Sequence, residues 1–205
     1  MKWKFDERVA AEYNNIVNKN IPNYNEVIDK CMTLISTYPK DASIVDVGCA
    51  NGQTLKKISD LGYYNITGVD NSIDMVSELN DFTVIVSDTF PDLKFDIILC
   101  NWVLHFITDP GERAQYIKKA YDQLNPGGCL VISDKIDTGM VYFYHLWKYK
   151  QGLTLDEINH KADQIDGVLV DLPLKWYEGI FDTLEIEYNI IDSHWCFTTF
   201  VITKP

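Results

Sequence analysis

Residues 43–52 read SIVDVGCANG and carry the strongest structural signal in the chain. The apolar run around Asp46 predicts a buried strand, and Gly48 and Gly52 predict a turn that leads into a helix. The spacing differs from GxGxxG, in which the turn brings its backbone close to a pyrophosphate. The turn therefore suits a ligand without that group, although a strand, a glycine turn and a helix also occur in sheets that bind nothing.

The composition predicts a soluble globular protein. The 205 residues, of which 46% are apolar, suit a single domain over 1–205. The net charge of -12 repels phosphate backbones and anionic lipid surfaces, which disfavours nonspecific nucleic-acid binding and membrane association. Five cysteines without a CxxC pair predict reduced thiols, and the first ten residues lack the apolar core of a signal peptide. We therefore expect a cytoplasmic location.

From Ser43 to Ser133, short β-rich runs alternate with helical patterns. This alternation is typical of parallel strands joined by crossover helices. The predicted strands are 43–48, 66–69, 83–87, 95–100 and 128–133. Residues 184–191 and 194–203 predict two more strands, and the short link at 192–193 predicts an antiparallel hairpin. We therefore predict an α/β, Rossmann-like fold: a mostly parallel sheet with helices on both faces and a C-terminal antiparallel hairpin.

The helices between these strands have recognisable ends. The first is predicted over 53–61 and stops at Gly62, and a second starts after Ser72. The third has the clearest start, because Asp109 can cap it, Pro110 suits its first position and a capping box is present.

Two regions fall outside this alternation. Residues 1–40 are predicted to form helices that cover the carboxyl edge of the sheet. Residues 138–180 are predicted to form a helical insertion or lid before the hairpin. Within the second region, the aromatic residues of 141–151 either cover an apolar or planar ligand or pack on the sheet or on a second subunit.

Polar side chains follow the first four predicted strands in succession. In an open parallel sheet, ligands bind outside the carboxyl ends of the strands. Asp46 adjoins the glycine turn, Asp70 can accept hydrogen bonds from vicinal ribose hydroxyls, and Asp88 can accept one from an adenine amino group. Each also has a plain structural interpretation, as a turn cap, an Asx turn or a loop residue. Together with Asn101 after the fourth strand, they predict an adenosine-type ligand.

The neighbours of these residues extend the predicted site. Asn71 would lie close to the adenine, and the amide of Thr89 would donate to its ring. Trp102 follows Asn101 and would lie near the reacting end of the ligand, unless it is simply part of the core.

The glycine turn resembles the first motif of S-adenosylmethionine-dependent methyltransferases. The resemblance extends over nearly the whole chain through WKFDERVA, IPNY, VGCANG, VDNS, LCNWVLHF, LNPGG and VISDK. These segments resemble the carboxy-S-adenosylmethionine synthase family, a methyltransferase relative involved in modifying the wobble uridine of tRNA. The resemblance implies a methyltransferase fold, S-adenosyl-L-methionine as cofactor and a homodimer. The cofactor contacts that it implies are Tyr24, Gly48, Cys49, Ala50, Asp70 with Asn71, Asp88 with Thr89, and Asn101; Asp46, Gly52 and Trp102 complete the predicted set.

One position departs from that family. The family pairs an arginine with the additional carboxylate of its unusual cofactor, and alignment through Glu157 and Lys161 places Ala162 there. The remaining arginines are Arg8 and Arg113, and the second is predicted to lie on a capped surface helix. Because a lysine ammonium lacks the bidentate geometry of a guanidinium, the sequence favours ordinary S-adenosylmethionine.

Methyl transfer from a sulfonium needs no acid for its leaving group, so a dry and well-positioned site supplies much of the acceleration. Tyr24 and Trp102 are candidate aromatic faces for the sulfonium. His105 is the candidate base, with a structural role at the exit of the fourth strand as the alternative. The histidines show no metal-ligand spacing, so no metal is expected.

These observations predict an enzyme: an S-adenosylmethionine-dependent methyltransferase acting on an unidentified small-molecule acceptor. Methylation of DNA amines is disfavoured, because Trp102 and Val103 follow Asn101 in place of a prolyl-prolyl aromatic motif. Two alternatives stay open. One is a carboxy-S-adenosylmethionine synthase-like enzyme, and the other is a protein that binds S-adenosylmethionine without turnover.

Overall fold

The structure is a computed structural model that describes residues 2–205. Its helices are α1 Glu7–Asn20, α2 Tyr24–Ile35, α3 Gln53–Asp60, α4 Ile73–Val76, α5 Pro110–Asp122, α6 Val141–Lys150, α7 Leu155–Ile165 and α8 Leu174–Thr183. Its strands are β1 Ile44–Val47, β2 Ile66–Asp70, β3 Thr83–Val86, β4 Phe95–Asn101, β5 Leu124–Asp137, β6 Leu172–Pro173, β7 Tyr188–His194 and β8 Phe197–Thr203. A short 3-10 turn, Leu104–Phe106, follows β4.

The strands form one mixed sheet in the order β3-β2-β1-β4-β5-β8-β7, with β6 paired to β5 off this path. Strands β1 to β5 pair in parallel, whereas β8 runs antiparallel between β5 and β7. The predicted fold class is confirmed. The chain runs from β1 to β2 on one side and returns to β4 on the other, so the carboxyl ends of β1 and β4 flank the point where a ligand crevice opens.

Both faces of the sheet are covered by helices, as the continuous apolar runs of its parallel strands require. Along β4, Ile97 and Leu99 join a buried cluster with residues of α2 and α3. Their neighbours Ile98 and Cys100 point the other way, into a cluster with residues of α5 and α8. The period of two along this central strand therefore divides the core into two layers.

Local sequence signals place several helix ends correctly. The Asp109 side chain accepts a hydrogen bond from the Glu112 backbone N–H at 2.9 Å, which confirms the predicted start of α5. The Glu112 side chain returns no bond to the Asp109 N–H among the described residues, so the capping box predicted there is only half formed. A complete capping box joins Thr154 and Glu157 at the start of α7, where none was predicted. Helix α3 ends at Asp60, and Gly62 takes a φ of +88° just beyond it.

Three predicted boundaries are wrong. Strand β7 begins at Tyr188 rather than at residue 184, because α8 continues to Thr183 and Leu184 caps it. The C-terminal hairpin turns at Trp195 and Cys196, because Asp192 and Ser193 lie inside β7, paired with Thr199 and Thr198 of β8. The Asp192 carboxylate is tied to the Lys30 ammonium of α2 at 2.6 Å, so a polar residue is satisfied within the strand. Strand β5 also begins at Leu124, earlier than predicted, and includes the NPGG segment.

Helices α1 and α2 lie within residues 1–40, and α6, α7 and part of α8 lie within residues 138–180. Tyr13 of α1 and Tyr24 of α2 face Asp46 and Asn101 across a cleft at the carboxyl ends of β1 and β4. None of the helices within residues 2–205 is long and apolar enough to cross a membrane.

Candidate functional site

The turn after β1 has an unusual backbone. Gly48 and Gly52 have φ values of +70° and +76°, and Ala50 between them has a φ of +47°. A Cβ atom at Gly48 would overlap the Val103 side chain, so the turn approaches the β4 exit as closely as a glycine allows. Gly52 is the N-cap of α3, and the first residues of that helix, Gln53 and Thr54, lie beside the cleft at the carboxyl ends of β1 and β4.

Asp46 is a buried carboxylate at the bottom of this cleft. It is 3% exposed, and its side chain accepts no hydrogen bond from any residue in the described range 2–205. Burial, reinforced by the nearby Asp70 carboxylate, raises the pKa of Asp46 to about 8. A cationic group in the cleft would relieve this cost, because it favours the ionised carboxylate.

Asp70 ends β2 and holds the turn in place. One of its carboxylate oxygens accepts the Ala50 N–H and the other accepts the Ser72 N–H, both at 2.9 Å. The second bond forms an Asx turn, as the structural interpretation of Asp70 predicts. Each oxygen keeps a second lone pair, so two hydroxyl groups can still donate to this side chain.

The residues predicted to hold an adenine lie on an open surface. Asp88 and Thr89 are exposed and follow the end of β3 at Val86. The Thr89 N–H donates to the Ser87 hydroxyl at 3.1 Å, so it is not free as it stands. Asn71, beside Asp70, is exposed as well.

Asn101 and Trp102 lie at the exit of β4. The Asn101 side-chain oxygen accepts a hydrogen bond from the Ser133 hydroxyl at 2.7 Å. Trp102 has a φ of +59°, a conformation that a bulky residue rarely takes. Its ring stacks on Tyr24, the first residue of α2, so both aromatic candidates reach the cleft.

The cleft is narrow. Its lining includes Tyr13, Tyr24, Asp46, Asn101 and Trp102, and it encloses about 10 Å³. A space of this size is too small for an amino-acid group, so part of the lining must move before such a group reaches Asp46. The cleft also includes residues that the sequence did not single out, namely Tyr13, Asn51, Gln53 and Thr54.

A second cavity of about 110 Å³ lies beside the cleft, and we name it the lysine cavity because Lys135, Lys148 and Lys161 line it. Tyr13 and Trp102 line both spaces. Most of its remaining wall is apolar, with side chains that include Trp3, Phe5, Phe106, Tyr144, Leu169 and Phe197. A groove of about 330 Å³ between α1 and α7 shares Trp3 and Lys161 with the cavity.

His105 is buried at the edge of the lysine cavity. Its Nδ1 atom is hydrogen-bonded to the carboxylate of Asp134, which also accepts the hydroxyl of Tyr177. Arg113 lies against the same carboxylate, with 4.0 Å between the nearest nitrogen and oxygen. Arg113 is fully buried, so its predicted position on the surface is wrong. Arg113 lies on the buried face of α5 with Ile117 and Ala120, and its guanidinium reaches Tyr177 of α8 and the Ile107 backbone oxygen beyond the β4 exit.

Comparison with known proteins identifies the class of this protein. A family model described as a methyltransferase domain matches residues 19–163. The chain belongs to the methyltransferase domain family. This family uses S-adenosylmethionine, so the predicted cofactor and the prediction of an enzyme are confirmed at the level of the class.

Relatives of this methyltransferase domain carry the name predicted from its motifs. A carboxy-S-adenosyl-L-methionine synthase from Campylobacter jejuni subsp. jejuni is 30% identical over 99% of this chain and 94% of its own length. A protein of the same name from Staphylococcus epidermidis is 30% identical over 98% of this chain and 95% of its own. The recognition of this family is confirmed. The plantazolicin methyltransferase BpumL, solved with S-adenosylhomocysteine, superposes with a TM-score of 0.70 at 16% identity, covering 97% of this chain and 95% of its own.

The backbone and side chains at this end of the sheet fit S-adenosylmethionine in three respects. The positive-φ turn allows a close backbone approach, and the carboxylate of Asp46 lacks a partner within residues 2–205. Asp70 retains acceptor capacity at the end of β2. The described residues contain no cluster of His, Cys, Asp and Glu side chains that could hold a metal ion.

Four functional candidates were missed by reading the sequence: Tyr13, Asp134, Tyr177 and Lys148. Asp134 occurs in the recognised VISDK segment, where its position at the end of the fifth predicted strand was the available signal. Lys148 lies in α6, whose aromatic and basic residues alternate without a clear apolar face, so periodicity could not show that it points inward. Tyr177 lies in α8, most of which falls in the predicted helical insertion, where no buried face was identified from the sequence.

Proposed function

We propose that this methyltransferase domain transfers the methyl group of S-adenosylmethionine to a small-molecule acceptor in the lysine cavity. One observation carries the proposal: Tyr13 and Trp102 line both the cofactor cleft and the lysine cavity. A reacting group at this shared wall would face the acceptor directly. When bound, the cofactor supplies a methyl carbon on a positively charged sulfur.

The proposed cofactor residues are those at the strand exits. Asp46 would pair with the cofactor's ammonium group, and the N-terminal turn of α3 would accept its carboxylate. Asp70 would bind the ribose hydroxyls. The full proposed set is Tyr24, Asp46, Gly48, Cys49, Ala50, Gly52, Asp70, Asn71, Asp88, Thr89, Asn101 and Trp102, with His105 as the catalytic residue.

The chain contributes to transfer chiefly by orientation and by excluding water. The stacked rings of Tyr24 and Trp102 offer a π-face to a sulfonium, an attraction of about 1 kcal/mol in a partly desolvated site. The apolar wall of the lysine cavity keeps water from the reacting atoms, which strengthens the electrostatic interactions inside.

The second candidate function is that of a carboxy-S-adenosylmethionine synthase, because curated relatives carry that name. Against it stands Ala162, the position at which the family resemblance implies an arginine. Ala162 is not among the residues that line the cleft or the lysine cavity, whereas its neighbour Lys161 lines the cavity. Lys161 would bind a carboxylate as a point charge only.

Native mass spectrometry of the purified protein tests these candidates. We expect a retained ligand with the mass of S-adenosylmethionine or S-adenosylhomocysteine. The mass of the carboxylated cofactor would overturn the preferred function in favour of the second. Incubation with S-adenosylmethionine and a cell-extract fraction of small molecules tests turnover. Failure to form S-adenosylhomocysteine above a boiled control would favour the third possibility, a protein that binds the cofactor without using it.

We also propose a cytoplasmic location and a homodimer. All five cysteines are buried and unpaired in residues 2–205, which suits a reducing compartment. The homodimer is implied by the family resemblance alone. Sedimentation equilibrium of the purified protein measures its mass, and a mass near 23.6 kDa would exclude the dimer.

A further inference from the structure

The His105 ring is held in one orientation by a buried network. Its Nδ1 atom bonds to Asp134, and its backbone N–H donates to the same carboxylate at 3.2 Å. The Lys135 backbone N–H also lies near Nδ1, at 3.4 Å. This contact is weaker than the one between Nδ1 and Asp134. Because an ionised carboxylate can only accept, the proton of neutral His105 belongs on Nδ1, and Nε2 keeps its lone pair.

Two further side chains hold Asp134 in turn. Tyr177 donates its hydroxyl to the second carboxylate oxygen of Asp134. The Arg113 guanidinium donates to the Tyr177 oxygen at 3.2 Å and to the backbone oxygens of Ile107 and Val170 at 2.8 Å each. Asp134, Tyr177 and Arg113 are fully buried. They are positioning residues, because they reach the cavity only through His105.

The Nε2 atom of His105 has no hydrogen-bond partner within residues 2–205, and the residue lines the lysine cavity. Asp134 fixes the ring through Nδ1, and Nε2 is left able to accept a proton from a ligand. This is the arrangement of a general base in a catalytic site. The charged and titratable groups around it come from six elements: Tyr13 of α1, Asp134 and Lys135 of β5, Arg113 of α5, Tyr177 of α8, Tyr144 and Lys148 of α6, and Lys161 of α7.

The cavity also holds cationic side chains without matching carboxylates. Lys135 pairs with Asp171 at 2.6 Å. Neither Lys148 nor Lys161 has a carboxylate within 4.0 Å among the described residues, and their ammonium groups lie over the rings of Tyr144 and Trp3. Burial, reinforced by neighbouring cations, lowers the pKa of Lys148 to about 8 and that of Lys161 to about 6. An anion in the cavity would favour the charged form of both.

The size of the cavity limits its occupant. An apolar cavity of about 150 Å³ holds one benzene ring. The lysine cavity encloses about 110 Å³, which is less than that reference, so an occupant of one ring would extend into the groove of about 330 Å³ between α1 and α7.

We propose that the acceptor is a small apolar molecule with an acidic hydroxyl, of the phenol or enol class, and that His105 is the base that takes its proton. Lys148 and Lys161 stabilise the resulting oxygen anion. The hydroxyl proton moves to Nε2 of His105 and the oxygen forms a bond to the methyl carbon. The carbon–sulfur bond breaks with its electron pair remaining on sulfur, and His105 then releases the proton to solvent. This inference rests on the proposed function and specifies its acceptor.

The test uses para-nitrophenol, whose anion absorbs visible light and whose ionisation falls near neutral pH. It is titrated with the full-length protein saturated with S-adenosylhomocysteine, at a series of pH values. We expect binding to lower the pKa of para-nitrophenol. Half of the bound molecules should be ionised at a proton concentration at least about tenfold higher than the one needed in free solution. The methyl ether para-nitroanisole should bind without this pH dependence.

Variants separate the roles of the cavity residues. His105→Gln should remove most of the ionisation shift, and Lys148→Met should reduce it, whereas the controls His194→Gln and Lys150→Met leave it unchanged. Asp134→Asn should turn the imidazole to the tautomer with hydrogen on Nε2, which nitrogen NMR detects directly. If Asp134→Asn does not fold, Tyr177→Phe removes one support of the carboxylate and should diminish the shift.

The outcomes are distinguishable. No binding of para-nitrophenol, or the same ionisation shift in His105→Gln as in the unmodified protein, would overturn the acceptor class and leave the proposed function standing. Failure of calorimetry to detect S-adenosylhomocysteine binding would overturn the proposed function itself.

Discussion

Tyr24 and Trp102 stack with 4.6 Å between ring centroids and 29° between ring planes. Tyr24 is the first residue of α2 and follows Asn23, which has a φ of +55°, while Trp102 itself has a φ of +59°. Two strained backbone positions thus bring an N-terminal helix against the exit of β4. Such strain persists where the surrounding structure holds it, and it is common at ligand sites.

The first prediction concerns this aromatic pair. Trp102→Leu removes a π-face from the cleft and keeps its apolar character. Because the attraction acts on the sulfonium and not on a neutral thioether, the variant should lose about 1 kcal/mol in S-adenosylmethionine binding relative to S-adenosylhomocysteine, which is about fivefold. Calorimetric titration of both ligands measures this ratio. Trp147→Leu, outside the cleft, is the control, and an equal loss for both ligands would contradict a cation–π role.

The second prediction concerns Asp46. The pKa of Asp46 is about 8 in the folded protein, whereas the ordinary pKa of an aspartate is 3.8. Between these two pH values the folded state therefore binds a proton that the unfolded state has released. The contribution of Asp46 to folding stability therefore falls as the pH rises from about 4 to about 8. Asp46→Asn should abolish that contribution and stabilise the ligand-free protein at about pH 8. Urea unfolding at several pH values measures the difference.

Ligand binding should respond to Asp46 in the opposite direction. Because the cofactor's ammonium group favours the ionised carboxylate, affinity for S-adenosylhomocysteine should rise with pH up to about 8, by up to tenfold per pH unit. Asp46→Asn should bind weakly at every pH. The exposed Asp60→Asn serves as the control, and a flat pH profile in the unmodified protein would refute the pairing.

The third prediction concerns Asp70. Asp70→Ala removes the acceptor proposed for the ribose hydroxyls and also the support of the Ala50 and Ser72 N–H groups. We expect S-adenosylhomocysteine binding to weaken by about 2 to 3 kcal/mol, the usual range for a charge-assisted hydrogen bond. Asp81→Ala, at an exposed loop position, should bind normally. Unchanged affinity in Asp70→Ala would remove Asp70 from the site.

Much of the cleft could be predicted because its residues occupy recurring places in a local pattern. The glycine turn, the acid at the end of β2 and the amide at the end of β4 each follow an apolar run, and parallel pairing brings those ends to one edge. The sequence therefore predicted which strand ends converge. It could not predict how closely Tyr13 and Tyr24 approach Asp46, because that depends on how two separate helices pack.

The network behind His105 could not be predicted for a related reason. Its contacts join Asp134 to His105 across 29 positions and Tyr177 to Arg113 across 64 positions of the chain. Periodicity reports which face of one helix is apolar, and Arg113 is a charged residue on a helix whose exposed face is also charged. Nothing local distinguishes this buried arginine from its solvated neighbours.

The last prediction uses Arg113 and Arg8, the two arginines of the chain. Arg113 is fully buried beside Asp134, whereas Arg8 is exposed on α1. Arg113→Met leaves a buried carboxylate without its cationic neighbour and leaves the Ile107 and Val170 backbone oxygens without their donor. We expect a loss of about 3 to 5 kcal/mol in the free energy of unfolding. Arg113→Lys should cost less but still be destabilising, since an ammonium cannot reproduce the planar fork.

Urea unfolding of Arg8→Met and Arg8→Lys supplies the matched comparison, in which we expect changes within about 0.5 kcal/mol. Equal stability of the Arg113 and Arg8 variants would show that the buried ion pair contributes nothing to holding Asp134.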